Sequence, residues 1–420
     1  MPLNMVSVEV LEYDKVISHS FIGLFRRLLV LLLIIGLSAC SRHQGTTQLC
    51  EPPGSNAEEP SDGPALYHPM AKPPDAEDDG WPVSNLEAEG VNPQLVGQML
   101  GDIKAGEFTK IDSVLIARNG KLIFEAYFNG FGRDSTHDTQ SVSKSLGSAL
   151  AGIAVDRGLI TDVDQPVSQF FPDHWPHIQT DREKKDRITL RHLLTMTPGF
   201  EAEENWGIGP RRTDEMRRTS DWYRYALDMP AAWEPGTRFS YNSPTAVLVG
   251  GVVAQAAGEP LPSFAKKHLF APLGVTDYCW SITQSGQVAT NSGIFLRPRD
   301  MLKFGQLYLN HGTWLGQRII SEHWVRESTR KHVASTRPDK PRVKSSRRGY
   351  GYQWWTRRTL PGEDAKLDLY LASGNGGQKI FVYPNLQLVV VFTGSHYGKP
   401  AGHAQPWKIL DRYILPAVLL

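Results

Sequence analysis

The sequence predicts an α+β fold: an antiparallel sheet flanked by helices, with a helical subdomain over about 159–280. Three observations point to it. Ser113–Arg118 and Lys121–Phe128 read as a hairpin around Asn119-Gly120, and Gln378–Tyr383 with Leu386–Phe392 reads as a second strand pair. The chain between them has a helical texture, so strands from both ends must meet in one sheet.

Taken in order, the chain first presents Arg26-Arg27, then the apolar run Leu28–Ile35. That run is too short to cross a bilayer, which takes roughly 20 residues. A basic pair, a short apolar core and small residues before a cut describe a secretory signal peptide over residues 1–39. Leu37-Ser38-Ala39-Cys40 resembles a bacterial lipobox, which implies a lipidated Cys40, a membrane anchor and a periplasmic location. Residues 40–80 read as a tether: between 51 and 80 lie seven prolines and eight acidic residues against the single base Lys72. Such a segment buries too little apolar surface to offset its ordering entropy. With Cys40 lipidated, Cys50 and Cys279 remain as a disulfide that an oxidising compartment permits, but Cys50 sits in the tether, which argues against the pairing and leaves it open.

The folded body is expected over 81–420. Leu95, Met99 and Ile103 recur every four residues and predict a helix between Val91 and Ile111. Asn-Gly between two β-rich runs is the favoured type I′ connection of a hairpin. Gln140–Asp156 reads as a helix burying Leu146, Leu150 and Ile153, with Ser141 and Lys144 rising side by side from its first turn. Its Gly147, Gly152 and several alanines and serines suit a helix packed closely on several sides, since an interior glycine costs about 1 kcal/mol. Ile188–Leu194 opens like a capped helix, and Glu201–Arg218 is a polar, irregular stretch of the kind that often serves function. Thr245–Ala257 is an apolar, small-residue helix, Leu388–Phe392 suits a strand buried on both faces, and His403–Leu419 closes the chain as a helix. Arg337–Arg348 reads as a solvated basic loop.

Composition narrows the chemistry. With 45 basic and 44 acidic residues the net charge is +1, which lacks the electrostatic footprint of a nucleic-acid binder. The three cysteines form neither a CxxC pair nor a zinc spacing, and the 13 histidines contain no HExxH arrangement, so no metal and no other cofactor is expected.

Ser141-Val-Ser-Lys144 is one of two SxxK matches; the other is Ser263-Phe-Ala-Lys266. Ser263 follows Pro262 at the start of a short helix, where a helix-capping serine with exposed lysines accounts for it. Ser141 stands before a helix of small residues, with an amine one turn away. A serine hydroxyl is a weak nucleophile until a neighbouring base takes its proton, and a lysine can be that base where burial disfavours its charged form. A tyrosine can relay the proton, and two backbone N–H groups must receive the oxyanion.

These residues, with Ile188-Thr-Leu-Arg-His-Leu-Leu-Thr-Met-Thr-Pro-Gly199, Pro235-Gly-Thr-Arg-Phe-Ser-Tyr241-Asn-Ser243, Arg297-Pro-Arg-Asp300-Met-Leu-Lys-Phe-Gly305 and Ala372-Ser-Gly374-Asn-Gly-Gly-Gln378, carry a resemblance. The chain from Trp81 to Leu420 resembles the serine hydrolase family of class C β-lactamases, D,D-peptidases, carboxylesterases and 6-aminohexanoate-dimer hydrolases, which implies a β-lactamase/transpeptidase-like fold. The resemblance implies that Ser141 is acylated, that Lys144 is its base partner, and that Tyr241 is the tyrosine of a Tyr-x-Asn motif whose third residue is here Ser243, a substrate contact. It also implies that Asn375, after Gly374, supplies the second oxyanion N–H. The third motif is Lys-Thr-Gly in many β-lactamases, whereas this chain has Ala372-Ser373-Gly374. Without that lysine a β-lactam carboxylate loses a contact of about 1.5–3 kcal/mol. The expectation is therefore an amidase or esterase of the 6-aminohexanoate-dimer hydrolase type acting on a small-molecule or peptide substrate. A β-lactamase or D,D-peptidase, and a non-catalytic envelope binding lipoprotein, are the alternatives. Glu201–Arg218 and Trp354-Trp355 are the expected walls of the cleft.

Overall fold

The computed structural model describes residues 73–76, 79–201, 211–283, 285–335, 348–357 and 367–419. The signal peptide, Cys40, Cys50 and nearly all of the tether lie outside the described residues, as do 202–210 and 337–347. Cys279 is disulfide-bonded.

The hairpin forms where its turn residues place it. Strand β1 (Ile111–Arg118) and strand β2 (Lys121–Tyr127) run antiparallel through Asn119 and Gly120, at φ 52° and 79°. Two consecutive left-handed residues are what a type I′ turn demands. Helix α1 (Pro93–Lys104) precedes it, its first backbone N–H groups capped by the Asn92 side chain. Near the end of the chain come β8 (Val333–Ala334), β9 (Arg348–Tyr350), β10 (Trp355–Arg357), β11 (Leu369–Ser373), β12 (Lys379–Tyr383) and β13 (Leu388–Gly394). They join the hairpin in one eight-stranded antiparallel sheet, ordered β2-β1-β13-β12-β11-β10-β9-β8. The last strand thus lies against the first, with Val390 opposite Ile116. A small sheet orders β3 (His137–Asp138), β5 (Ile294–Leu296) and β4 (Tyr278–Trp280), and β6 (Thr313–Trp314) pairs with β7 (Gln317–Arg318).

Every residue of β13 is buried because the sheet is covered on both faces. Leu388, Val390 and Phe392 join Met99 and Ile103 of α1 and Ile409, Tyr413 and Ile414 of the C-terminal helix in one apolar core. Val389 and Val391 join the other core, built from helices α2 (Ser143–Asp156), α3 (Ser243–Ala257) and α4 (Pro298–Leu309). A Cβ on Gly305 of α4 would stand 2.6 Å from Val389 and 2.7 Å from Ile380, so glycine permits the close seating of this helix on the sheet. The Arg297–Gly305 motif is therefore packing: Arg297 pairs with Asp300 at 2.8 Å, Arg299 with Glu125 at 2.6 Å and Lys303 with Asp79 at 2.8 Å.

Between α2 and β4 the described residues are helical or irregular, including short helices Leu190–Leu194, Arg211–Arg217, Trp222–Asp228 and Leu261–Ala265. The cap expected at Ser263 is not formed. Pro260 is the capping position, and Ser263 is the third residue of the helix, exposed beside exposed Lys266 and Lys267. The C-terminal helix begins earlier than expected, as α5 (Pro400–Ile409) with proline in its first turn, where a missing N–H costs nothing. It continues through a π-helical turn to Leu415–Leu419.

Candidate active site

Gln140–Asp156 is two segments, not one helix. Gln140–Val142 is a 3₁₀ turn, and α2 starts at Ser143. Gln140 takes φ 50°, a left-handed conformation that costs a non-glycine residue about 1–3 kcal/mol unless its surroundings hold it. Asp138 does so. Its carboxylate accepts the Gln140 backbone N–H at 2.8 Å, the Gln140 side-chain amide at 2.5 Å and the Gly293 N–H at 3.0 Å. Burial pushes the Asp138 carboxyl above its usual range, against the pull of these donors. The result is a sharp bend that leaves Ser141 half-buried ahead of a fully packed helix.

Lys144 is 2% exposed. Its amine donates to Ser141 Oγ at 2.8 Å, to Ser243 Oγ at 3.0 Å and to the carbonyl of Asn291 at 2.9 Å. Its depth follows from the composition of α2: the side chains from Ser143 to Ala154 are all buried, and small residues let three neighbouring elements close on them. Ser243 is the first residue of α3, fixed there by Asn242, which caps the helix by accepting the Thr245 N–H at 2.9 Å. The implied substrate contact at Ser243 is thus engaged with the lysine amine and 4% exposed. Tyr241, two residues earlier, brings its ring centroid within 5.0 Å of the Lys144 amine and stacks on Trp355 at 5.3 Å. The structure therefore gathers Ser141, Lys144, Tyr241 and Ser243 at the junction of α2 and α3.

The third segment meets the first. A Cβ on Gly374 would stand 2.5 Å from the carbonyl of Thr139 and 3.0 Å from Gln140 Cβ, so only glycine lets the end of β11 reach the turn that presents Ser141. Asn375 follows, its side chain accepting the Gly398 N–H at 2.9 Å. Ala372, the first residue of the third motif, is 1% exposed and part of the apolar core.

One cation near this segment escaped the motif reading. Lys379 of β12 is 1% exposed, and its amine donates to Ser373 Oγ at 2.8 Å and to the Gly374 carbonyl at 3.2 Å, 3.1 Å from Nδ1 of His403 on α5. Burial lowers the Lys379 amine to about 7, and burial together with that amine lowers His403 to about 3. A lysine opening an otherwise apolar strand was the available signal; nothing local marks His403. The Asn291 carbonyl was missed because Lys144 lies 147 positions away, and Asp138 was missed although Gln140 is only two residues from it.

The expected walls are partly corrected. Trp354 is fully buried, 5.8 Å from Phe304 and 4.5 Å from Tyr308 between ring centroids, and belongs to the core. Trp355 alone reaches the site, through its stack on Tyr241. Of Glu201–Arg218, the described part brings Arg217 to Ser292 Oγ at 2.9 Å, beside the Asn291 carbonyl that holds Lys144. Chemically, the arrangement offers a serine hydroxyl in hydrogen-bond contact with a buried amine, which is the geometry of an activated nucleophile. Among the described residues, no group of three His, Cys, Asp or Glu side chains is placed to hold a metal ion.

The fold recurs in known proteins. A family model described as beta-lactamase matches residues 110–412. The 6-aminohexanoate-dimer hydrolase of Paenarthrobacter ureafaciens is 24% identical over 321 residues, 74% of this chain and 78% of that protein. Among solved structures, simvastatin synthase from Aspergillus terreus matches with a TM-score of 0.59 at 17% identity, covering 76% of this chain and 97% of that one. The octameric penicillin-binding protein homologue from Pyrococcus abyssi matches with a TM-score of 0.58 at 17% identity, covering 76% of each chain.

Proposed function

The chain belongs to the beta-lactamase family, and from that premise we propose that it is a serine hydrolase cleaving amide or ester bonds through an acyl-enzyme on Ser141. The observation that carries this reading is the 2.8 Å contact from the buried Lys144 amine to Ser141 Oγ, with Tyr241 over the same amine. In the proposed cycle the Lys144–Tyr241 pair takes the Ser141 proton as Oγ attacks the substrate carbonyl. The tetrahedral oxyanion is received by the N–H groups of Ser141 and Asn375. Collapse returns the proton to the leaving amine or alcohol, and water repeats the sequence to free the acid.

The substrate is proposed to be a linear amide or ester, as in the 6-aminohexanoate-dimer hydrolase. Two features support this: Ala372 contributes no cation to the cleft, and the Lys379 amine is engaged by Ser373 and Gly374. Lipidation at Cys40 and a periplasmic location belong to the same proposal, supported by the Leu37–Cys40 motif. A panel of p-nitrophenyl esters, linear amides and nitrocefin, with Ser141→Ala as control, tests the reading. Ester and amide turnover abolished by the substitution is expected. Rapid nitrocefin turnover would replace the substrate assignment with a β-lactamase, and inertness toward the whole panel would favour a binding protein.

A further inference from the structure

We propose that Lys379 is a positioning residue for the acyl-transfer centre: by holding the Gly374 carbonyl it fixes the plane of the Gly374–Asn375 peptide and hence the aim of the Asn375 N–H. The proposal rests on the reading of that N–H as the second oxyanion donor. Its warrant is peptide geometry. The carbonyl of one residue and the N–H of the next lie in one trans plane and point in opposite directions. Among the described residues no peptide bond is cis. Whatever grips the Gly374 oxygen therefore sets the direction of the Asn375 hydrogen.

The grip is multiple. Lys379 reaches the Gly374 oxygen at 3.2 Å and Ser373 Oγ at 2.8 Å, while the Gly374 N–H donates to the Gln378 carbonyl at 2.8 Å. Both backbone groups of Gly374 are thus tied to consecutive residues, Gln378 just before β12 and Lys379 its first residue. His403 anchors the amine from the helix side at 3.1 Å. Beyond Gly374 lies the turn that carries Ser141, too close for any Cβ. An amine donating to a peptide carbonyl also polarises that peptide and strengthens its N–H as a donor. A buried amine is a costly way to brace a strand, because taking it out of water carries a desolvation cost even where it is hydrogen-bonded. Its position one peptide from the oxyanion donor gives that cost a function.

The test compares wild-type protein with Lys379→Met, which fills the space without a donor. Lys379→Gln keeps a donor for Ser373 on a shorter arm. Steady-state hydrolysis of a p-nitrophenyl ester gives kcat and KM, and inhibition by a phenylboronic acid, which forms a tetrahedral adduct on serine, gives Ki. Losing an oxyanion donor outright costs about 10²–10³ in kcat, so a misaimed donor should cost about tenfold. For Lys379→Met the expected result is that loss in kcat, KM within about twofold, and Ki raised in proportion to the loss in kcat. Lys379→Gln should fall between. Wild-type kcat and Ki in either folded variant would overturn the proposal, including a variant that is less stable but equally active. Wild-type protein that forms no acyl adduct on Ser141 would overturn both the proposal and the function on which it rests.

Discussion

Replacing Gly152 by alanine sets two effects of opposite sign against each other. Intrinsic helix preference favours alanine over glycine by about 1 kcal/mol, so an isolated helix would gain stability. In the folded protein the new Cβ would stand 2.4 Å from Cδ1 and Cγ of Trp324. Carbon atoms prefer about 3.5–4.0 Å, so the intrusion exceeds 1 Å. Trp324 is 3% exposed and lies 5.4 Å from the Tyr352 ring, which leaves the indole no route to solvent. Overpacking of this kind typically costs about 1–3 kcal/mol, and a rigid ring places this site at the upper end. The net expectation is a destabilisation of about 2 kcal/mol, read as a lower urea midpoint with an unchanged slope. Gly147→Ala in the same helix is the control. Its Cβ would meet Thr290 at 3.4 Å, an ordinary contact, so propensity should win and the variant should gain up to about 1 kcal/mol. A Gly152→Ala protein as stable as wild type or more stable would refute the account of why α2 is built from small residues.

Three further outcomes follow from the site. Lys144→Met should lower kcat/KM by about 10²–10⁴ with the far-ultraviolet circular dichroism unchanged, because it removes the amine that contacts Ser141 and leaves the core packed. Asp138→Ala should release the left-handed Gln140 and lower kcat/KM by at least tenfold, roughly what a small displacement of a nucleophile costs, measured with the same ester. Lys379 should make stability depend on pH above neutrality. Its folded value of about 7 lies below the ordinary 10.5, so between those values the unfolded chain holds a proton that the folded chain has lost. Unfolding free energy therefore rises as pH rises through that window. Urea denaturation at pH 7 and pH 9 should show the rise in wild-type protein and a weaker one in Lys379→Met; equal slopes would contradict the assignment.

Much of this was legible in the chain because its causes are local. Asn119-Gly120 specifies its turn by the conformations those residues tolerate, and the apolar run of β13 announced a strand covered on both faces. The three-residue spacing of Ser141 and Lys144 was enough to place hydroxyl and amine together. What was not legible depends on partners far away in sequence. The bend at Gln140 is held by nearby Asp138, whose carboxylate is fixed in turn by the Gly293 N–H 155 positions away, so the helical pattern alone ran α2 back through Ser141. Trp354 and Trp355 are equivalent by composition, yet the turn into β10 leaves Trp354 in the core and places Trp355, the first residue of the strand, on Tyr241. Ser263 looked like a cap because the helix start was placed after Pro262, whereas proline in the first turn let the helix begin earlier. Lys379 and His403 meet only because β12 and α5 pack together.

The central claim is that Ser141 is acylated, and intact-protein mass spectrometry after brief exposure to a fluorophosphonate tests it most directly. Wild-type protein should gain one adduct, mapped by peptide digestion to Ser141, while Ser141→Ala gains none and Lys144→Met reacts at least about a hundredfold more slowly. An unlabelled wild-type protein under conditions that label active serine hydrolases, or an adduct that persists in Ser141→Ala, would contradict it.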